Sequence, residues 1–199
     1  MQQHKLEPKQ EIVAAAATLL DNYGLADLTM RRLARELNVS PSALYWHFAS
    51  KQQLLGCLAD RVLAPARVDP GPGAWAWQIQ TVCQRLRDAV LSHTDGAELV
   101  SASLAAGQSQ AATDIVALLA RAAAAAGVPA EQAALAARTV VYYVLGFAGD
   151  EQSRLQWDAA GAAHVSPVAD PAGAFAFGLG LLIDGLAARA NQPVSSALY

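Results

Sequence analysis

Between Thr29 and Phe48 the chain starts a helix twice in succession, and no other stretch constrains the fold as much. Thr29 is placed to cap a short second helix over Met30 to Leu37, in which Leu33, Ala34 and Leu37 share one face and Asn38 marks the end. Ser40 and Pro41 form an N-cap and first-turn pair for a third helix over Pro41 to Phe48, with Leu44 and Phe48 four residues apart on its inner face. Two short helices joined by a tight turn, with the small Ala34 at their crossing, make a frame that can hold the second helix in a DNA major groove.

The flanks extend this pattern. Ile12, Val13, Ala16, Leu19, Leu20 and Tyr23 recur at helical spacing in a first helix from Lys9 to Tyr23, and Gly24 stands where a left-handed cap would end it. Ala49-Ser50-Lys51 breaks the third helix, and Ser50 caps a fourth running to about Leu63. Pro65 and Asp69-Pro70-Gly71-Pro72-Gly73 are the clearest punctuation and mark a boundary. Beyond them, periodicity predicts helices near Trp75 to Ser92, Glu98 to Ala106, Thr113 to Ala126, Ala130 to Leu145 and Ala172 to Ala190. The Gly-, Ala-, Ser- and Pro-bearing stretch from Asp150 to Pro171 reads as a mobile loop with room for a short helix.

Composition supports an all-α fold. The 54% hydrophobic content is dominated by alanine, as in Ala122 to Ala126, and alanine is the best helix former. A net charge of −3 disguises an asymmetry: residues 1 to 67 hold eight Lys and Arg against six Asp and Glu, whereas residues 68 to 199 hold six against eleven. A mildly basic N-terminal part carried on an acidic body suits a nucleic-acid-facing head. Cys57 and Cys83 have neither disulfide-framework nor zinc spacing, and His93 and His164 lack further ligands at fixed spacing, so no metal or cofactor is expected. The N-terminus lacks a signal-peptide apolar region, and the apolar run Ala172 to Ile183 is too short to span a bilayer, so a soluble cytoplasmic protein without membrane contact is expected. Gly178-Leu179-Gly180 follows no strand and lacks a third glycine, so it is no dinucleotide fingerprint. No nucleophile, base and orienting group stand at recognisable spacing, which argues against an enzyme.

With Leu44 and Phe48 turned inward, the third helix presents Ser42, Ala43, Tyr45, Trp46 and His47 outward. Thr29, Arg31 and Lys51, beside the N–H groups opening the fourth helix, suit phosphate contacts that position the head without reading bases.

Leu28-Thr29-Met30-Arg31-Arg32-Leu33-Ala34, Leu37-Asn38-Val39 and Leu44-Tyr45-Trp46-His47-Phe48 followed by Lys51 resemble the TetR family of regulators. The resemblance implies a DNA-binding domain over residues 1–50, a connecting helix over 51–67 and a ligand-binding and dimerisation domain over 68–199. It assigns DNA contacts to Thr29, Arg31, Ser40, Pro41, Ser42, Ala43, Tyr45, Trp46, His47 and Lys51. Tyr45 and Lys51 would grip phosphates, and Ser42, Ala43, Trp46 and His47 would lie nearest bases or sugars. The implied partners are double-stranded operator DNA, a small-molecule effector and a second copy of the chain. A transcriptional activator or a ligand-binding protein of the same fold is the alternative reading.

Leu91-Ser92-His93-Thr94-Asp95-Gly96-Ala97, Leu145 to Gln152 and Phe175 to Leu186 extend the resemblance into the tetracycline-repressor branch. There a magnesium-chelated drug is held by a His and a Thr, whose positions fall on Val100 and Ser103, and by a Glu near Asp150. The polar Asn and aromatic Phe expected on the fifth helix appear as Val82 and Leu86. Val cannot replace an imidazole donor, so no magnesium-tetracycline site of the parental kind is expected. An apolar pocket for a flat or lipophilic molecule remains, with candidates Leu63, Arg67, Val82, Cys83, Leu86, Val100, Ser103, Leu104, Tyr142, Phe147, Asp150 and Trp157. Leu86, Val100 and Tyr142, at helical spacing, read more often as plain core than as pocket, and Arg67 and Asp150 equally as ion-pair partners.

Overall fold

The computed structural model describes residues 8–159, 161 and 170–190. Among them there is no strand, and the helices run α1 Pro8–Asp27, α2 Met30–Glu36, α3 Pro41–Tyr45, α4 Lys51–Leu63, α5 Trp75–Leu91, α6 Gly96–Ala105, α7 Gln110–Ala125, α8 Ala130–Ala159 and α9 Pro171–Ala190.

Local chemistry accounts for the head. The Thr29 hydroxyl accepts from the Arg32 N–H at 3.1 Å, and Ser40 Oγ accepts from the Ala43 N–H at 3.3 Å. Asn38 closes α2 with φ of 53°, in the left-handed region that Asn tolerates. α3 is shorter than expected, with Trp46 as its C-cap, although the Phe48 N–H still bonds the Leu44 carbonyl at 3.0 Å. Gly24 kinks α1 at φ 78°. Ser50 caps Gln53 of α4, and the Gln53 side chain reaches back to the Ala49 N–H at 2.7 Å, a reciprocal device that fixes the start of α4.

Ile12, Leu20, Leu33, Leu44, Phe48, Leu54 and Leu58 pack as one head core, and it continues through Leu63 into Ile79, Leu86, Leu99, Ile115, Val144 and Phe175 of the body. α4 thus belongs to both layers. Its buried Leu54, Leu58, Ala59, Val62 and Leu63 tie α1 to α6 and α7.

Two expectations are corrected. Asp150 to Ala159 is not loop but the last third of a 30-residue α8, because no breaker intervenes before Gly161 and its Glu151, Gln152 and Gln156 are anchored in the body. The remainder of the expected loop, residue 160 and residues 162–169 with His164, lies outside the described residues. The C-terminal apolar segment is also longer than its uncharged run, since α9 continues past Asp184 to 20 residues and by length and composition alone could cross a membrane. It buries Phe175, Leu179, Ile183 and Leu186 and leaves Phe177 and Leu181 exposed. Gly178 leaves the space that the Tyr143 ring fills, whereas Gly180 faces open space.

Candidate nucleic-acid interface and its link to the body

Leu44 and Phe48, each 1% exposed, pin α3 to the head, and this turns Trp46 outward at 89% exposure and Tyr45 at 51%. Of the residues expected at DNA, Thr29, Arg31, Ser40, Pro41, Ser42, Tyr45 and Trp46 are exposed, and Ala43, His47 and Lys51 are half-buried. The structure gathers them on α2, α3, the turn between these helices, and the first turn of α4. Thr29 and Ser40 spend an acceptor lone pair on capping, yet each hydroxyl keeps a proton to donate to a phosphate oxygen. Arg31 and Lys51 have no acidic partner among the described residues, whereas Arg32 is held by Asp27 at 2.8 Å and lies 3.7 Å over the Tyr23 ring. Arg32 therefore belongs to the head's own framework, and the cations beside it face outward.

Asp95 joins this head to the body. It sits in the left-handed region at φ 53°, immediately before α6, and its Oδ2 accepts from the Leu25 N–H of α1 at 2.8 Å. Its Oδ1 accepts from Gln156 Nε2 at 2.7 Å, so one carboxylate ties α1, α6 and α8. Nearby, Thr94 Oγ1 donates to the Asp21 carbonyl at 2.9 Å, and His93 Nδ1 lies 3.0 Å from Asp21 Oδ1. Gln152 completes the junction by donating to the Val90 and His93 carbonyls and accepting from the Ala97 N–H. The sequence did not mark Asp95, Gln152 and Gln156 as a junction; the signal for the first two was that Leu91 to Ala97 and Leu145 to Gln152 both carry the family resemblance, and Gln156 lies outside those stretches.

The positions expected to line an effector pocket divide. Leu63, Val82, Cys83, Leu86 and Val100 are buried in the shared core, and Ser103 is buried with its hydroxyl donating to the Leu55 carbonyl at 3.3 Å. Leu104 is half-buried against that core. Phe147 is half-buried in an aromatic cluster, 6.0 Å from Tyr143 and 5.4 Å from Phe175 between ring centroids. Tyr142 and Trp157 are exposed, Arg67 pairs with Asp114 at 3.1 Å, and Asp150 pairs with Arg154 at 2.7 Å. A groove of about 340 Å³ opens instead between α6 and α8, lined by Asp95, Glu98, Ser101, Gly149, Gln152 and Gln156 among others, and by none of the expected residues. Val100 is buried and apolar and offers no donor to a metal, so it does not fit a magnesium chelate. Among the described residues no three His, Cys, Asp or Glu side chains come together to hold a metal.

Comparison with known proteins matches residues 12–56 to the bacterial regulatory proteins of the tetR family, and residues 67–174 to the tetracyclin repressor-like C-terminal domain. The class A tetracycline repressor protein from transposon 1721 of Escherichia coli is 34% identical over 203 residues, covering 93% of this chain and 92% of its own. The crystal structure of BioQ from Mycobacterium smegmatis superposes with a TM-score of 0.87 at 61% identity, covering 94% of this chain and 99% of BioQ. A structure of BioQ with its natural double-stranded DNA operator superposes at 0.82 with 58% identity, covering 92% and 99%.

Proposed function

This chain belongs to the TetR family of bacterial regulatory proteins, and from that premise we propose that it is a cytoplasmic homodimeric repressor that binds a palindromic operator and leaves it when a small effector binds. The observation that carries the reading is the third helix. Two large aromatic side chains, Tyr45 and Trp46, stand in solvent on a helix whose opposite face is locked by Leu44 and Phe48, beside Arg31 and Lys51. An aromatic face exposed at this cost in solvation suits a surface completed by a partner, and the neighbouring cations suit phosphates. The 58% identity to a chain seen on its operator supports the same assignment.

A palindrome requires two heads. α8 and α9 leave Leu135, Tyr142, Phe177 and Leu181 exposed on long helices, an apolar surface suited to a four-helix contact with a second copy. Two recognition helices then meet successive major grooves when they stand about one helical turn apart, roughly 34 to 36 Å. An effector releases the operator if it binds better to a conformation with another separation. α4 links the two layers, so it is the element through which separation changes. The buried apolar set around Val82, Leu86 and Val100 favours a lipophilic or aromatic effector over a metal chelate.

Selection of bound duplexes from a randomised DNA library tests the first claim. A two-fold symmetric site whose affinity falls steeply with salt is expected, and retention without sequence preference would exclude it. A thermal-shift screen of aromatic and lipophilic compounds, with and without magnesium and tetracycline, tests the second. A magnesium-dependent tetracycline response would overturn the effector assignment.

A further inference from the structure

Among the described residues, three hydrogen bonds involving side chains tie α4 to the body, and two of them end on one carboxylate. Asp60, in the last turn of α4, accepts through a single oxygen from Ser109 Oγ at 2.7 Å and from the Ala111 N–H at 2.8 Å. Ser109 is itself buried and is the N-cap of α7, its Oγ accepting from the Ala112 N–H at 3.0 Å. Asp60 therefore adds a second acceptor to the start of α7, where a negative charge also meets the positive end of the helix dipole. One turn earlier, Gly56 is buried so closely on the chain before α7 that a Cβ there would overlap the Gln108 carbonyl. α4 is thus seated backbone to backbone on the segment leading into α7 and held there by the Asp60 carboxylate.

The other end of the same helix carries the DNA face. Lys51 opens the 13-residue α4, and about 14 Å of helix runs from this cation to the Asp60 clamp. A rigid helix fixed at one end sets the position of the other. The buried Leu54, Leu58 and Ala59 hold α4 by non-directional contacts that tolerate small slides, whereas two hydrogen bonds to one oxygen do not.

We propose that Asp60 is a positioning residue for operator binding: by locking α4 to the N-terminus of α7 it sets the separation of the two recognition helices in the dimer. The inference rests on the operator-binding reading above. It goes beyond that reading by assigning the setting of half-site spacing to the α4–α7 contact and to a side chain that never meets DNA.

The test uses the full-length chain, the operator selected by the wild type, and duplexes in which the same half-sites are moved apart or together one base pair at a time. Asp60→Ala should bind the selected operator about tenfold more weakly or worse, as expected for losing a hydrogen-bonded carboxylate, and its optimal spacing should move or broaden. Asp60→Asn keeps an acceptor oxygen and should restore the wild-type spacing. Loss of affinity by the same factor at every spacing would show a merely structural role and overturn the proposal. Unchanged affinity and spacing would overturn it equally. Should Asp60→Ala fail to fold, Ser109→Ala removes one of the two donors and must itself move or broaden the optimal spacing; an unaltered spacing profile in that variant rejects the proposal. If the wild type selects no operator at all, the functional reading fails before the variants are compared.

Discussion

The Leu25 amide of the DNA-facing head donates to Asp95 Oδ2 of the body at 2.8 Å, across 70 residues of sequence. The contact is partly buried and has a backbone constraint on each side. Gly24, at φ 78°, is packed so that a Cβ would lie 2.7 Å from the same oxygen, and Asp95 holds the left-handed conformation that ordinary residues avoid. Asp95→Ala removes the acceptor, strands the Leu25 N–H and keeps an unfavourable φ, for a destabilisation of about 2 to 4 kcal/mol. Asp95→Asn keeps an acceptor and tolerates the conformation, so its loss should be smaller. Urea unfolding at fixed protein concentration measures both, and native-state hydrogen exchange should show the Leu25 amide losing protection in the Ala variant before the α5 core does.

Deeper in the body, Arg87 and Glu151 form a two-point pair, Nε to Oε2 at 3.1 Å and Nη2 to Oε1 at 2.7 Å, with the guanidinium 5.2 Å over the Phe175 ring. Arg87 is only 8% exposed, so deleting its partner leaves a buried charge. Glu151→Ala should therefore cost about 3 to 5 kcal/mol, while the double change Arg87→Met with Glu151→Leu should recover most of it. A double-mutant cycle in urea measures the coupling, and equal losses in the single and double variants would refute the burial argument.

These two contacts show what the sequence discloses and what it withholds. Caps and periodicity are local, so Thr29, Ser40, Ser50 and the Leu44 and Phe48 pair located α2 to α4 to within a few residues. The α8 end was misplaced because its helical signal is not amphipathic. Glu151 and Gln152 are half-buried polar residues and Gln156 an exposed one, all bonded to the body, and their partners Arg87, Val90, His93, Asp95 and Ala97 lie some 55 to 64 residues earlier. Composition reads such residues as solvent-facing. The effector positions met a similar limit: Tyr142 at helical spacing reads as core or pocket, yet it is exposed, and it is the adjacent Tyr143 that turns inward and donates to the Phe175 carbonyl on α9.

At the DNA face, charge and shape should separate cleanly. Lys51→Ala removes one cation at the opening of α4 and should weaken binding to every duplex alike, flattening the slope of log affinity against log salt by about one. Ser42→Ala, on the exposed face of α3, should leave that slope unchanged and alter which bases are preferred. Fluorescence anisotropy across a salt series on the selected operator and on single-base variants distinguishes the two. A Lys51 variant that changed sequence preference with an intact slope would reverse the assignment.

The two thiols give an independent check on the core. Burial pushes the Cys83 thiol up to about 12 from an ordinary 9.0, and Cys57 is raised less, first by its own burial and then by Asp60, against a lowering from Lys9. A thiol raised in this way is held neutral by the fold. Its contribution is therefore complete below about pH 9, where the unfolded thiol is also neutral, and is lost as pH rises from 9 toward 12 while only the unfolded chain ionises. Near pH 8 an aromatic disulfide reagent should label the native protein slowly at half-buried Cys57 and not at Cys83, and both thiols should react at once in denaturant. Prompt labelling of Cys83 in the native protein would mean that α5 opens on its core side. A lipophilic effector that reaches Val82 and Leu86 would have to displace the packing around this same thiol. Saturation with such a compound should then change the Cys83 labelling rate while leaving Cys57 as it was.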